Sequence, residues 1–200
     1  MGGFPKSDLL VRRAEKQEIA PLLRDHHYLT GRSKGFKSGY NYACVCNSEV
    51  IGAAIFTALP VPELVVGAFG LPRDDQEGMF ELSRLVLRPD AQRVSHNLAG
   101  WFTARALKQL RRDTSVRAVL SYADTEFHEG TVYRALGFDD YGLTAEKKDF
   151  YVRNPDGSHT KLSRGRTKGV NGEWRPRSRK RRFLKVFDPE LTCLWRKESD

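Results

Sequence analysis

The sequence predicts an α/β (α+β) protein in which helices flank a central mixed, twisted sheet, with a basic extension at the C-terminus. Two observations predict the sheet and its helices. Short runs rich in β-branched and aromatic residues recur along the first 150 residues, and segments with helical apolar spacing lie between several of them. Charge predicts the extension, because residues 151–200 carry 14 Lys and Arg against 6 Asp and Glu, whereas residues 1–150 carry 20 against 19. We therefore expect a nearly neutral domain at 1–150 and a basic extension at 151–200 packed on it.

The N-terminal part predicts one helix and three strands. Residues 9–11 form a short apolar run, and residues 15–27 place Ile19, Leu22 and Leu23 on one helical face. The runs 40–46 and 50–58 are rich in β-forming residues, and a tight turn of Asn, Ser and Glu joins them. Together these segments predict a hairpin that follows a strand and a helix.

The middle of the chain predicts a mobile loop followed by two strands and two helices. Prolines and acidic residues between 60 and 78 indicate a mobile excursion of the kind that often serves as a lid. A strand is expected over 81–87, and a helix begins at about Ser95, its expected N-cap. This part ends with a second strand over 118–123 and a short helix whose last residues are 133–138.

The tail has a dense basic run that ends in a strand-like pattern. Ten Lys and Arg and one acidic residue, Glu173, lie between Lys161 and Arg182. We expect an aromatic stacking surface from Trp174 and phosphate contacts from Arg175, Arg177, Arg179, Lys180, Arg181 and Arg182. A solvated tail or a localisation signal is the alternative interpretation of such a run. Residues 182–187 alternate like a strand, and Leu191, Leu194 and Trp195 are expected to dock the end of the chain.

The order of strand, helix, strand and short helix over residues 81–142 resembles the second half of a GNAT-class N-acyltransferase. That resemblance implies two splayed parallel strands with the arm of an acyl donor between them, and a donor pyrophosphate at the N-terminus of the intervening helix. The usual loop there reads Arg/Gln-x-x-Gly-x-Gly/Ala. This chain has Ser95 and Asn97 in place of both glycines, which hinders close backbone approach of coenzyme A. Ser and Asn side chains can still bind anions, so both residues are candidates for donor binding.

Three residues in and after the second splayed strand are candidate catalytic groups. The resemblance implies that Tyr133 protonates the departing thiolate, while the alternative is a structural tyrosine. Asp124 ends the strand where sites concentrate in open sheets, so it is expected to orient or deprotonate the attacking amine, or else to cap the next segment. His128 lies in the loop that follows and is a second candidate base.

The first splayed strand and the first helix supply the other candidates. Glu81, Ser83 and Arg84 place polar groups in a strand that should be buried, which indicates a site. Glu81 is a candidate catalytic group there, and Ser83 and Arg84 are candidate donor-binding residues. Arg84 suits a carboxylate or phosphate of a donor, and a simple Glu81–Arg84 contact is the alternative. His27 and Tyr28 lie at the end of the helix and are candidates for the acceptor pocket or for a helix C-cap, not metal ligands.

Taken together, these segments resemble the phage Mom family of DNA-modification proteins, a divergent GNAT-like group. The matching pieces are the segments 26–28, 81–86, 122–124, 128–133 and 176–183, together with Asn97, Trp101 and Phe102. The resemblance implies transfer of a carbamoylmethyl (acetamido) group to the exocyclic amine of adenine in double-stranded DNA, which blocks restriction enzymes that read this amine in the major groove. It also implies a family without the glycine-rich loop. The donor stays open between an acyl-CoA type and an aminoacyl type.

Two other functions compete with this one. The first is an acetyl-CoA-dependent GNAT acetyltransferase that acts on a protein or small amine and has an RNA-binding or DNA-binding tail. The second is a nucleic-acid-binding protein without catalysis on the same scaffold. No apolar run approaches the roughly 20 residues that span a bilayer, and no secretory signal is visible, so we expect a cytoplasmic protein, in the host cytoplasm if it is phage-encoded.

Overall fold

A computed structural model describes residues 5–27 and 35–198 of the chain. Its main feature is a seven-stranded sheet, in which one neighbouring pair of strands is parallel and the other pairs are antiparallel. In spatial order the strands are β1 (Leu9–Arg13), β2 (Tyr40–Cys46), β3 (Glu49–Ala58), β4 (Met79–Leu87), β5 (Ala118–Asp124), β10 (Lys180–Val186) and β6 (Asp139–Leu143). The parallel pair is β4 and β5.

The described chain also contains five α-helices, two short 3-10 helices and a second sheet. The helices are α1 (Lys16–His26), α2 (Glu63–Phe69), α3 (Pro89–Val94), α4 (Leu98–Asp113) and α5 (Thr131–Ala135). The small sheet has the order β8 (His159–Leu162), β7 (Lys148–Arg153) and β9 (Glu173–Pro176). The predicted strands and the first helix are confirmed.

The main sheet buries both of its faces, and the alternation along β2 shows how. Tyr42 and Cys44 belong to the cluster that packs under α4 and α5, whereas Ala43 and Val45 pack with Ile19 of α1. Successive strand side chains point to opposite faces, so every second residue of a strand belongs to the same layer. We call the two sides the α4 face and the α1 face of the sheet.

The helix after β4 differs from the sequence expectation. Instead of one helix that begins at Ser95, there are two, and Ser95 is the C-terminal cap of α3. The cap of α4 is Asn97, whose φ of 54° lies in the left-handed region. Asn tolerates that conformation better than most residues, so the chain passes from one helix to the next without glycine.

The predicted boundary at residue 150 needs correction. The strand β10 lies between β5 and β6 in the main sheet, so the end of the chain is part of the first domain rather than of an appendage. Phe183 and Leu184 are buried there, one on each face. What stands apart is the segment 144–179, which connects the neighbouring strands β6 and β10 and contains the small sheet. We call this segment the insert.

The expected mobile loop at 60–78 also differs, because it contains α2. Val65 and Ala68 of this helix are buried, and α2 packs beside the C-terminal segment on the α1 face. Trp195 and Leu191 dock there as expected. The side chain of Leu194 is exposed instead, although its backbone N–H donates to the Ala68 carbonyl at 2.7 Å.

Candidate active site at the splayed strands

The parallel strands β4 and β5 separate part way along their length. Their pairing runs from Met79 opposite Ala118 to Leu82 opposite Ser121 and then stops, and Ser121 Oγ donates to the Leu82 carbonyl at 3.1 Å at the last step. Beyond this point β4 continues only with β3, and β5 only with β10. The result is a V-shaped gap that opens the sheet between its two faces.

A β-bulge at Ser83 sets the side chains that border the gap. Glu81 pairs with Thr57 and Arg84 with Ile55, while Ser83 is the extra residue between them. Thr57 and Ile55 are two residues apart and face the same way, so Glu81 and Arg84 both lie on the α1 face. Ser83 Oγ donates to the Ile55 carbonyl at 3.1 Å and thus stabilises the bulge. This bond gives a structural role to a residue that was expected to bind the donor.

The register of β10 brings a second set of polar residues to the same face. The buried pair Leu184 and Leu120 lies on the α1 face. Two residues further along the strands Arg182 lies opposite Tyr122, and after two more Lys180 lies opposite Asp124. Directly opposed residues in antiparallel strands project from the same side. The α1 face at the gap therefore carries Glu81, Arg84, Tyr122, Asp124, Lys180 and Arg182.

Burial and mutual charge perturb several of these groups. Burial raises the pKa of Glu81, and nearby Lys180, Arg84 and Lys37 oppose that shift. Burial likewise raises the pKa of Tyr122 to about 12, with a further contribution from Glu81. Burial and Arg177 lower the pKa of Lys180, which Asp124 and Glu81 partly offset. Perturbed groups that influence one another in a cleft are typical of functional sites.

Two histidines line the site, and burial favours the neutral form of both. His27 caps the end of α1 and is buried, and burial together with Arg84 and His128 lowers its pKa to about 4. Burial also lowers the pKa of His128, although Asp124 acts in the opposite direction. Tyr28, the other acceptor-pocket candidate, lies outside the described residues. The structure thus brings His27 and His128 to the gap.

Asp124 has a clear local role in addition to its place in the site. It is buried, and its Oδ1 accepts from the Glu126 backbone N–H at 3.2 Å. Its Oδ2 accepts from Ser178 Oγ at 3.1 Å, and the Thr125 backbone N–H donates to the Arg179 carbonyl at 3.1 Å. Asp124 therefore caps the turn after β5 and ties the last residues of the insert to the site.

Tyr133 lies on the other side of the gap. It is buried on the α4 face, with its ring 5.2 Å from that of Phe183 and 6.4 Å from that of His128. Gly130 has a φ of 77°, and an added Cβ there would lie 2.3 Å from Phe183, so only glycine lets α5 approach β10 this closely. A group in the gap would thus meet Tyr133 from the α4 face and Glu81 from the α1 face.

The N-terminus of α4 is the candidate binding place for donor phosphates. Ser95 is buried, Asn97 is exposed, and no side chain of the described residues caps the first N–H groups of the helix. Gly100 leaves room for the Asn97 amide, because a Cβ there would lie 2.5 Å from Asn97 Oδ1. Free N–H groups and the helix dipole favour an anion at this end.

Four of the predicted phosphate contacts are instead occupied by internal partners. Arg181 pairs with Asp140 at 3.0 Å and Glu198 at 2.6 Å, and Arg175 pairs with Glu173. Arg179 donates to the Thr144 carbonyl at 2.8 Å, and Arg182 donates to the Tyr141 carbonyl and lies over Trp195. These four side chains are therefore poor candidates for phosphate contacts.

Other cations of the insert are exposed and make no side-chain hydrogen bond or ion pair within residues 5–27 and 35–198. These are Lys147, Lys148, Arg153, Arg166, Lys168 and Arg177. Trp174 lies among them, 49% exposed, with its ring edge-on to Phe150 at 5.2 Å. The insert as a whole has 10 Lys and Arg against 4 Asp and Glu. Its surface, rather than β10, is the candidate nucleic-acid interface.

Two members of the site were not expected there from the sequence. Tyr122 was not among the candidates, and Lys180 was expected on the phosphate-binding surface. Both are positioned by the pairing of β5 with β10, whose partners are more than fifty residues apart in the chain. A local sequence pattern cannot predict which residues of two distant strands lie opposite each other. The available signal was the run of charged residues at 180–182 at the start of a strand-like segment, because a charge on an internal strand needs a partner or a ligand.

Among the residues that the structure describes, no helix is both long and apolar enough to span a bilayer. No three His, Cys, Asp or Glu side chains of that part converge as metal ligands.

Comparisons with known proteins identify a family and a fold. A family profile described as the Mom protein family matches residues 8–187. No curated protein matches the chain in sequence.

Solved structures with a similar fold are GNAT acetyltransferases. The ribosomal-protein-S18-alanine N-acetyltransferase of Escherichia coli is 13% identical, with a TM-score of 0.52 over 90% of this chain and 94% of its own. An acetyltransferase of the GNAT family from Streptococcus pneumoniae is 13% identical, with a TM-score of 0.53 over 89% of this chain and 98% of its own. A Bacillus subtilis acetyltransferase in complex with CoA is 12% identical, with a TM-score of 0.53 over 90% of this chain and 99% of its own. At these identities the likeness establishes the fold.

Proposed function

The chain belongs to the Mom protein family and has the fold of GNAT acetyltransferases, and we propose that it transfers a carbamoylmethyl (acetamido) group to the exocyclic amine of adenine in double-stranded DNA. In this proposal the modification protects phage DNA from host restriction. The observation that carries it is the span of the family match, because residues 8–187 include both the polar site at the splayed strands and the whole basic insert.

The insert gives the proposal a substrate-binding surface beside the site. Only three residues lie between the end of β9 at Pro176 and Lys180, and one of them, Ser178, donates to Asp124. Exposed cations around Trp174 would contact phosphates, and phosphate contacts supply most of the affinity of many proteins for duplex DNA. Chemistry on a base inside a duplex requires the base to leave the stack, which costs a few kcal/mol. Phosphate contacts close to the site offset that cost.

The gap divides the chemical roles between the two faces of the sheet. On the α1 face, the Glu81 carboxylate is the base that accepts a proton from the adenine N6 as N6 forms its bond to the donor carbon. On the α4 face, Tyr133 protonates the departing group, which leaves with the bonding electrons. We assign Asp124 the role of positioning, since its carboxylate oxygens already accept bonds from Glu126 and Ser178.

A coenzyme A-dependent acetyltransferase is the second candidate function, and one observation favours it. The uncapped N-terminus of α4, with Asn97 in the conformation that glycine usually provides, fits a pyrophosphate. When bound there, acetyl-coenzyme A would supply a thioester at the gap, with its pyrophosphate held by the N–H groups of α4. Binding of coenzyme A measured by calorimetry, with acetylation of a protein or small amine and unmodified DNA, would favour this candidate.

Restriction digestion tests the first proposal. Plasmid DNA from cells that express the chain should resist nucleases whose sites contain adenine. The same DNA should remain sensitive to a nuclease whose site contains only guanine and cytosine. Equal sensitivity of plasmid from expressing and control cells to every nuclease would contradict the proposal.

A further inference from the structure

Three polar side chains on the α1 face at the gap make no hydrogen bond or ion pair within the described part of the chain. They are the Glu81 carboxylate, the Tyr122 hydroxyl and the Lys180 ammonium group. Glu81, Tyr122 and Lys180 are all half-buried. Three half-buried polar groups without a partner among the described residues, gathered on one face at the gap, are available to a ligand that hydrogen-bonds with them.

Lys180 is held rigidly at its backbone. Its N–H donates to Thr144 Oγ1 at 3.1 Å, and its carbonyl accepts from the Thr144 N–H at 2.8 Å. The strand register places it opposite Asp124. The register therefore directs its side chain to the α1 face, where the charges of Lys180 and Glu81 interact and the three donors of the ammonium group are available.

The electrostatic environment of Lys180 contains charges of both signs. Two carboxylates, Asp124 and Glu81, contribute to its electrostatic environment together with Arg84 and Arg177. An external phosphate would meet those carboxylates in the same place. A neutral ligand that accepts a hydrogen bond from Lys180 and donates one to Glu81 fits both groups.

We propose that Lys180 and Glu81 together recognise the Watson–Crick edge of the target adenine, with Lys180 Nζ donating to N1 and Glu81 accepting from the N6 amine. This inference rests on the function proposed above and names a specificity-determining residue for it. Guanine and thymine present an acceptor and a donor in the reverse order, so each would leave both protein groups mispaired. A site built to hydrogen-bond a substrate rejects analogues that leave its polar groups unpaired.

Binding to modified duplexes tests the pairing of Lys180 with N1. The probe is a duplex with one unpaired adenine, compared with the same duplex carrying 1-deaza-adenine, which lacks the N1 acceptor. Fluorescence anisotropy with the full chain should show about tenfold or greater preference for adenine, because the charged donor is left without its acceptor in the analogue. Lys180→Met should bind both duplexes alike. A retained preference in Lys180→Met, or none in the wild type, would overturn the inference.

Two further variants keep the test decisive. Lys108→Met removes an exposed positive charge from α4 and should leave the preference at the wild-type value. If Lys180→Met does not fold, Lys180→Gln, whose shorter amide withdraws the donor, takes its place and should also lose the preference. Nucleoside analysis of DNA from expressing cells decides the proposed function separately, so modified adenine without N1 discrimination would reject only this inference.

Discussion

Glu81 and Arg84 lie on the same face of the sheet although three positions separate them along one strand. The extra residue at the Ser83 bulge reverses the alternation between them. Without the bulge, one of the two charges would point into the cluster beneath α4. The bulge therefore assembles the polar side of the gap.

Glu81→Gln should abolish modification while stabilising the fold at neutral pH. Burial raises the folded-state pKa of Glu81, so the protonated form is favoured in the folded state. Its contribution to stability is present below the unfolded pKa and is lost as pH rises through the raised value. Glutamine mimics the protonated form. Thermal unfolding should show a higher Tm than the wild type at pH 7, and the difference should shrink as the pH falls through the raised pKa and disappear below the ordinary carboxylate pKa. An equal or lower Tm at pH 7 would contradict the prediction.

The lowered pKa of His27 predicts that the protein loses stability on acidification. The pKa of this histidine falls from its ordinary value of 6.5 to about 4 in the folded protein. A depressed pKa contributes stability that is present above the unfolded value and is lost as pH falls through the folded one, so the window runs from about 6.5 to about 4. His27→Asn should flatten the dependence of the free energy of unfolding on pH across that window. His26→Asn, one residue earlier and exposed, is the matched control and should follow the wild type.

Asp124→Ala should destabilise the protein as well as reduce modification. The substitution leaves the Glu126 N–H and the Ser178 hydroxyl without their acceptor near a buried position, which costs about 1–3 kcal/mol. Ser178→Ala removes only one donor to Asp124 and should cost about 1 kcal/mol. Denaturant unfolding measures both. Equal stability of Asp124→Ala and the wild type would show that the turn does not depend on this carboxylate.

The exposed cations of the insert should set the salt dependence of DNA binding. The plot of log K against log salt has a negative slope. Replacing Arg166, Lys168 and Arg177 with Ala should make that slope shallower by about 0.9 for each phosphate that these side chains neutralise. Arg181→Ala should leave that slope unchanged and reduce stability instead, because Arg181 is paired with Asp140 and Glu198. A slope that changes in Arg181→Ala and stays unchanged in the triple variant would indicate that β10, rather than the insert, contacts the phosphates.

Trp174 should contribute a stacking contact to DNA binding. Its ring is about half exposed and is supported from one side by Phe150. Trp174→Ala should weaken binding by about 1–3 kcal/mol, the usual value for base stacking on an aromatic ring. Trp195→Phe is the control, because Trp195 packs against Tyr141 and Arg182 within the protein. Similarly weakened binding in both variants would argue against a specific stacking role.

Local sequence patterns predicted most of the helices and strands. The pairing of distant strands determined which residues lie at the site. The alternation over 182–187 was sufficient to expect a strand, and the polar start of 81–87 was sufficient to expect a site. The place of β10 between β5 and β6 depends on pairing between segments far apart in the chain. That pairing places Arg181 and Arg182 in internal contacts rather than on the expected DNA surface, and it places Lys180 at the gap. The predicted start of the helix at Ser95 was wrong for a different reason, because an Asn in the left-handed conformation, such as Asn97, is not the usual signal for a helix N-cap.

The most direct test of the central claim is mass spectrometry of nucleosides from plasmid DNA of cells that express the chain, alongside cells that express Glu81→Gln and cells with an empty vector. We predict a new deoxyadenosine species, heavier by one carbamoylmethyl group, in the wild-type sample alone. Unmodified deoxyadenosine in all three samples, with folded wild-type protein present in the cells, would contradict the account.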